Sequence, residues 1–125
     1  MRLDSRRMAA SAPYIDYLIE LLSPLGTARA RRMFGGWGIY IDSTMIGLVA
    51  DEMLYLNVDE QTRARFEAAG SASYIYDSKH RQITMSYWSA PEEAMDSPEA
   101  MRPWAQLALQ GALRKVAMTS SRKRD

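Results

Sequence analysis

The spacing of apolar residues changes twice along this chain, and that change limits the folds open to it more than any other feature. Between Tyr14 and Leu25 the apolar residues recur every three or four positions. From Arg29 to Trp88, apart from a short helical stretch after Asp59, they recur every second position, and beyond Pro98 the helical spacing returns. The strand-like segments are joined by connections of about two residues, which permit only antiparallel neighbours. The pattern therefore predicts an α+β fold with two layers: an antiparallel sheet of five to six strands packed by helices, in the order α-β-β-β-β-α-β-β-α.

The first helix is expected over about residues 12–23. Tyr14, Leu18, Leu21 and Leu25 form its stripe, Ile15 and Leu22 broaden it, Ser11 caps it, and Pro24 and Gly26 stop it. Strands are then expected at about Ala28–Phe34, Trp37–Ile41, Met45–Ala50 and Met53–Val58, with turns at Gly35-Gly36, Asp42-Ser43 and Asp51-Glu52. In the fourth strand, Leu54, Leu56 and Val58 are expected to face the core, and Met53, Tyr55 and Asn57 the opposite side. Asp59 reads as the N-cap of a short surface helix carrying Arg63, Phe66 and Ala69 and ending at Gly70. Tyr74–Tyr76 and Gln82–Trp88 form a second hairpin. Ser97-Pro98-Glu99 then opens a long helix whose face comprises Met101, Trp104, Ala105, Ala108, Leu109, Ala112, Leu113 and Val116.

At 125 residues the chain has enough material for one core, and its 47% apolar and 25% charged content is ordinary for a globular domain. Its longest apolar run, Met45 to Ala50, falls far short of the ~20 residues a membrane helix needs. No signal-peptide pattern follows Arg2, Arg6 and Arg7, so a cytoplasmic protein is expected. Without cysteine there is no disulfide framework or thiolate nucleophile. The boundaries read as a basic arm at 1–10, a domain at 11–117 and a disordered basic tail at 118–125. Residues 1–7 and 118–125 each carry a net +2. Taking both ends from the totals of 16 basic and 15 acidic residues leaves 10 and 13, so the body is net −3. That balance does not suit a duplex-DNA binder, whose affinity comes from clustered cations.

No reactive constellation emerges. FGGWG follows a strand but lacks the lysine and following helix of a phosphate loop, and glycine's tolerance of positive φ accounts for it. His80, the only histidine, lies between Lys79 and Arg81 in a turn, which gives neither a metal site nor a partner for a nucleophilic serine. The pairs Asp51-Glu52, Asp59-Glu60 and Glu92-Glu93 stand at turns and helix starts, where capping and solvation explain them. No catalytic residue, cofactor or metal is expected, and the chain does not read as an enzyme. Arg29, Arg31 and Arg32, beside Phe34, Trp37 and Tyr40, form the one cationic group within the body. They serve either to grip a partner or to protect an edge strand by charge.

The segments RRMFGGWGIYID, LVADEMLYLNVD, RFEAAGSASYIY and ITMSYWSAPEEAMDSPEAMRPWAQLAL, taken in order, resemble the N-terminal domain of the TfoX/Sxy family of bacterial competence regulators. The resemblance covers about Met8 to Val116. It implies a two-layer domain similar to type III secretion chaperones, with helices packed on an antiparallel sheet. It also implies a role in switching on DNA-uptake genes together with a cyclic-AMP receptor protein. Full-length members carry a second, helical C-terminal domain, so this chain reads as a stand-alone N-terminal module. The family supplies no catalytic or ligand residues to place on this sequence.

The leading expectation is a non-enzymatic adaptor that binds a protein partner such as a transcription factor, with Arg29, Arg31, Arg32, Trp37, Tyr87 and Trp88 as the candidate partner-binding residues. A homodimer is expected through exposed sheet edges and the apolar residues Leu107 and Trp88. Two alternatives stay open: direct nucleic-acid binding through the three arginines and the basic ends, and a small-molecule sensor with a pocket of Trp37, Tyr40, Tyr87 and Trp88.

Overall fold

The computed structural model describes residues 12–33, 35–77 and 82–124, with side chains described for all of these except 76, 77, 82–85 and 120–124. Helix α1 (Ala12–Leu22) turns inward the residues at helical spacing, Ile15, Leu18, Leu21 and Leu22. Pro24 cannot continue the helix, which tightens into a 3₁₀ turn at Ser23–Leu25 and ends at Gly26.

Strands β1 (Ala28–Met33), β2 (Gly36–Ile41), β3 (Thr44–Ala50) and β4 (Met53–Asn57) follow as an antiparallel meander. After the short helix α2 (Arg63–Ala68), β5 (Ser73–Asp77) and β6 (Gln82–Ser89) form a hairpin. β6 docks beside β4, giving one six-stranded sheet ordered β1-β2-β3-β4-β6-β5. A 3₁₀ turn at Glu92–Asp96 leads into helix α3 (Pro98–Arg124). The architecture and element order are those the sequence pattern predicts.

Local chemistry explains the turns. Asp42 and Ser43 have φ of 47° and 77°, and Asp51 and Glu52 have φ of 53° and 57°. Positive φ at both central residues is the type I′ geometry whose twist suits a two-residue hairpin. At the β1–β2 turn Gly35 takes φ 79°. A side chain on Gly36 would collide with the Val49 carbonyl oxygen, so this strand start has to be glycine. The Ser97 hydroxyl accepts from the Ala100 amide at 3.1 Å, capping α3 as expected.

Three details differ from expectation. Asp59 does not cap α2 directly. Its carboxylate accepts from the Gln61 and Thr62 amides at 3.1 and 3.2 Å, while its own amide donates to the Thr62 hydroxyl at 3.1 Å. This closed turn occupies residues that would otherwise begin the helix, and of its inward stripe only Phe66 is buried. Asn57, expected on the face away from the core, is 3% exposed, and its amide donates to the Ala108 carbonyl where α3 runs past the end of β4. Helix α3 continues to Arg124, beyond Met118 where the tail was expected to begin.

All the buried apolar residues of the three helices lie in one core. Leu18, Leu21 and Leu22 from α1, Phe66 from α2 and Met101, Ala105 and Ala108 from α3 meet Ile39, Ile41, Ile46, Val49, Leu54 and Leu56 of the sheet. A second tie is ionic. Arg114 of α3 grips Asp59 with Nε 2.8 Å from Oδ2 and Nη2 3.0 Å from Oδ1. This bidentate hydrogen bonding, above all else, holds the Asp59 carboxyl below the usual carboxylate range.

Two outcomes follow. Ser43→Gly removes the cost of a left-handed non-glycine residue and is expected to stabilise the fold by about 0.5 kcal/mol, measured by urea denaturation. The lowered carboxyl pKa of Asp59 means the native state binds fewer protons than the unfolded chain between the two pKa values. Its contribution is therefore complete above ~4 and is lost as pH falls through the folded value. Asp59→Asn should flatten that acid slope in pH-dependent unfolding, whereas a slope equal to the wild type's would contradict the assignment.

Candidate binding surface

Because the helices gather on one face of the sheet, the strand alternation sorts every other residue to the opposite side. In β1, Ala28 and Ala30 pack against the core. Arg29 and Arg31 therefore stand on the uncovered face with Met33, opposite Tyr40, Gly38 and Gly36 of β2. Both arginines are exposed, and the Arg31 guanidinium lies 6.0 Å from the Tyr40 ring centre. Arg32 is exposed too, on the helix side, with its guanidinium 5.1 Å from the Trp37 ring centre. Such contacts contribute about 0.5–1 kcal/mol at exposed sites. The ion pairs among the described residues, Arg63–Glu67 and Arg114–Asp59, involve none of the three.

The uncovered face is aromatic and apolar. Tyr40 lies opposite Met45, and Leu48 opposite Tyr55; all four are half-buried and lie outside the helix-covered core. Tyr55 and Tyr74 bring their rings to 4.8 Å between centres, tilted by 56°. Gly38 is what lets this surface lie flat, because a Cβ there would come within 3.0 Å of the Met33 sulfur and 3.2 Å of the Tyr40 ring. Burial raises the phenol pKa of Tyr87, helped by nearby Tyr40, and burial likewise raises that of Tyr55, helped by Tyr74 and Asp51. These hydroxyls stay neutral and able to donate hydrogen bonds. At the outward positions of β1, β2 and β3 stand glycine, alanine, methionine, leucine, tyrosine and the two arginines, with no carboxylate. The acids Asp42, Asp51 and Glu52 sit in the turns.

The six residues singled out from sequence thus divide. Arg29, Arg31 and Tyr87 share the uncovered face. Trp37 and Trp88 point to the helices and pack partly buried against the core, with Arg63 of α2 6.0 Å from the Trp88 ring centre. Arg32 goes with Trp37. The structure therefore does not form the pocket of Trp37, Tyr40, Tyr87 and Trp88, since alternation places the tryptophans and tyrosines on opposite sides of one sheet. Leu107 is likewise half-buried against the core. Phe34 and His80 lie outside the described residues.

Sequence reasoning did not single out Met45, Leu48, Tyr55 and Tyr74 as a surface, although their period-two positions carried the signal. Among the described residues no group of three potential metal ligands is found, and no helix is long and apolar enough to cross a membrane.

These features define a class: a two-layer α+β domain in which the described helices cover one sheet face and not the other, which is aromatic and edged by arginine. The family model of the TfoX N-terminal domain matches residues 20–112, and the chain belongs to that family. It is 26% identical to Protein Sxy of Escherichia coli (strain K12) over 84% of this chain and 50% of the relative. It is 30% identical to DNA transformation protein TfoX1 of Aliivibrio fischeri over 78% and 46%. An uncharacterized 12.7 kDa protein of Spirochaeta aurantia is 30% identical over 48% of this chain and 52% of its own length. The chain spans about half the length of the curated relatives it matches.

Burial also raises the pKa of the Tyr14 phenol, opposed by a hydrogen bond with the Leu54 backbone and helped by nearby Glu52. A tyrosine whose folded pKa is raised contributes stability that is present below its unfolded pKa of ~10 and lost as pH rises through the folded value. Phenolate titration by ultraviolet absorbance should show Tyr14, Tyr55 and Tyr87 ionising late in the folded protein and at the ordinary pH in urea. Tyr55→Phe and Tyr87→Phe should each remove one late step.

Proposed function

We propose that this chain is a non-enzymatic protein-binding module, acting in the cytoplasm as an adaptor for a transcription regulator of the kind that controls DNA transformation. The observation that carries this reading is the uncovered sheet face, where half-buried tyrosines, methionine and leucine lie beside two arginines without carboxylate partners among the described residues. Aromatic residues and arginine are the types that anchor protein interfaces, because they combine a large apolar area with directional polar groups. Membership of the TfoX N-terminal domain family, and the name of the A. fischeri relative, direct the reading toward DNA transformation.

Affinity capture of the tagged protein from its host, read by mass spectrometry, is expected to recover a transcription factor or polymerase component. Leu48→Glu places an unpaired charge in the middle of the face and should abolish that recovery while circular dichroism stays native. Equal recovery by the variant would remove the face from the reading, and recovery of no transcription protein by the wild type would reject the adaptor role.

A further inference from the structure

The two edges of the sheet are unlike each other. At β5 the ladder is interrupted, with a register shift between Ser73 and Ile75. At β1 the pairing with β2 runs unbroken through all six residues, Ala28 opposite Ile41 to Met33 opposite Gly36, and no described strand pairs on the far side. A regular edge without proline or bulge presents unpaired amides and carbonyls, ready to template another strand. Natural edges of this kind are blunted by charge, and β1 carries Arg29, Arg31 and Arg32.

Charge blunts an edge selectively. Two copies of β1 laid antiparallel would bring three arginines of one chain against three of the other in a ribbon only six residues long, and like charges facing across strands are destabilising. The same arginines would attract a strand carrying carboxylates. Alternation then sets the pattern of such a strand. Its residues on the uncovered side fall beside Arg29 and Arg31, and those on the other side fall beside the half-buried Ala28 and Ala30. The complementary sequence alternates acidic with aliphatic residues.

We propose that β1 is a strand-addition site for an extended acidic segment of a partner protein, with Arg29 and Arg31 selecting its carboxylates and excluding a second copy of this chain. This rests on the protein-binding reading above and names the chemistry of the partner. Backbone hydrogen bonds along β1 supply affinity, and the arginines supply choice.

The test uses the full chain and a short fluorescent peptide alternating glutamate with valine and threonine. Three further probes accompany it: a lysine counterpart, a version N-methylated at alternate amides, and a single-stranded oligonucleotide. The glutamate peptide is expected to bind saturably, at least about tenfold tighter than the lysine peptide, and to slow amide exchange along β1. N-methylation should abolish binding, because it removes the donors a strand needs. R29E/R31E, whose changed positions are exposed and free of ion pairs among the described residues, should keep its circular dichroism and reverse the preference to the lysine peptide. Amide exchange along β1 should not slow as the concentration of the wild type is raised, and slowing there would overturn the exclusion of a second copy.

Equal binding of both peptides, undiminished binding after N-methylation, or tighter binding of the oligonucleotide at the same edge would each overturn the proposal. A native partner captured equally by wild type and R29E/R31E would overturn the edge assignment and leave the protein-binding reading standing.

Discussion

The structure depends on a sheet that has two apolar faces, of which the described helices bury one. α1 and α3 each present a single stripe, and both stripes, with Phe66 of α2, go to the side of Ile39, Ile41, Leu54 and Leu56. Truncating a fully buried leucine such as Leu18 or Leu56 to alanine costs about 2–5 kcal/mol in cores of this kind. That is a large part of the ~5–15 kcal/mol that holds a domain folded. Stability therefore fixes which face the helices take. The other face keeps Tyr40, Met45, Leu48, Tyr55 and Tyr87 half in water, and tyrosine suits that position because its ring packs while its hydroxyl stays solvated.

Polar ties then decide how α3 leaves the body. Asn57 donates to the Ala108 carbonyl, and Asp59 receives Arg114 about 1.7 turns further along the helix. Both anchors come from the segment where β4 ends, and the same Asp59 carboxylate organises the turn before α2. One side chain thus fixes the exit of a strand, the approach to a short helix and the course of the long one. Beyond that point the helix outruns the sheet. Its 27 residues span about 40 Å, against about 20 Å for a typical strand, so Ala112 is its last buried apolar residue, while Leu113 and Val116 are 49% and 55% exposed.

The elements were legible in the sequence because each has a local cause. Period two marks the strands, Asp42-Ser43 and Asp51-Glu52 mark the turns, and Ser97-Pro98 marks the start of α3. The faces were harder to read. When both faces of a strand are apolar, alternation reveals two sets of residues without saying which one meets the helices. Trp37 and Trp88 therefore looked as available as Tyr40 and Tyr87, yet they belong to the helix side. The Asp59–Arg114 pair joins positions 55 apart and leaves no periodic trace. The stripe Leu109, Leu113 and Val116 follows its helical period correctly, but burial ends where the strands end, and strand length in space is set by the sheet.

The arginines of β1 read in sequence either as edge protection or as recognition, and under the strand-addition proposal these are one property. Protection is needed only where an edge is regular enough to pair, and β1 is that edge, while the ladder at β5 is broken by its own register shift. A regular edge guarded by bulges or proline would be closed to every partner. An edge guarded by cations is closed to copies of itself and open to carboxylates. The mildly acidic body strengthens the contrast, because its excess carboxylates repel an acidic strand elsewhere and confine its attraction to one border of the sheet. Under that proposal specificity follows from where charge is concentrated, with the net charge of the whole chain close to zero.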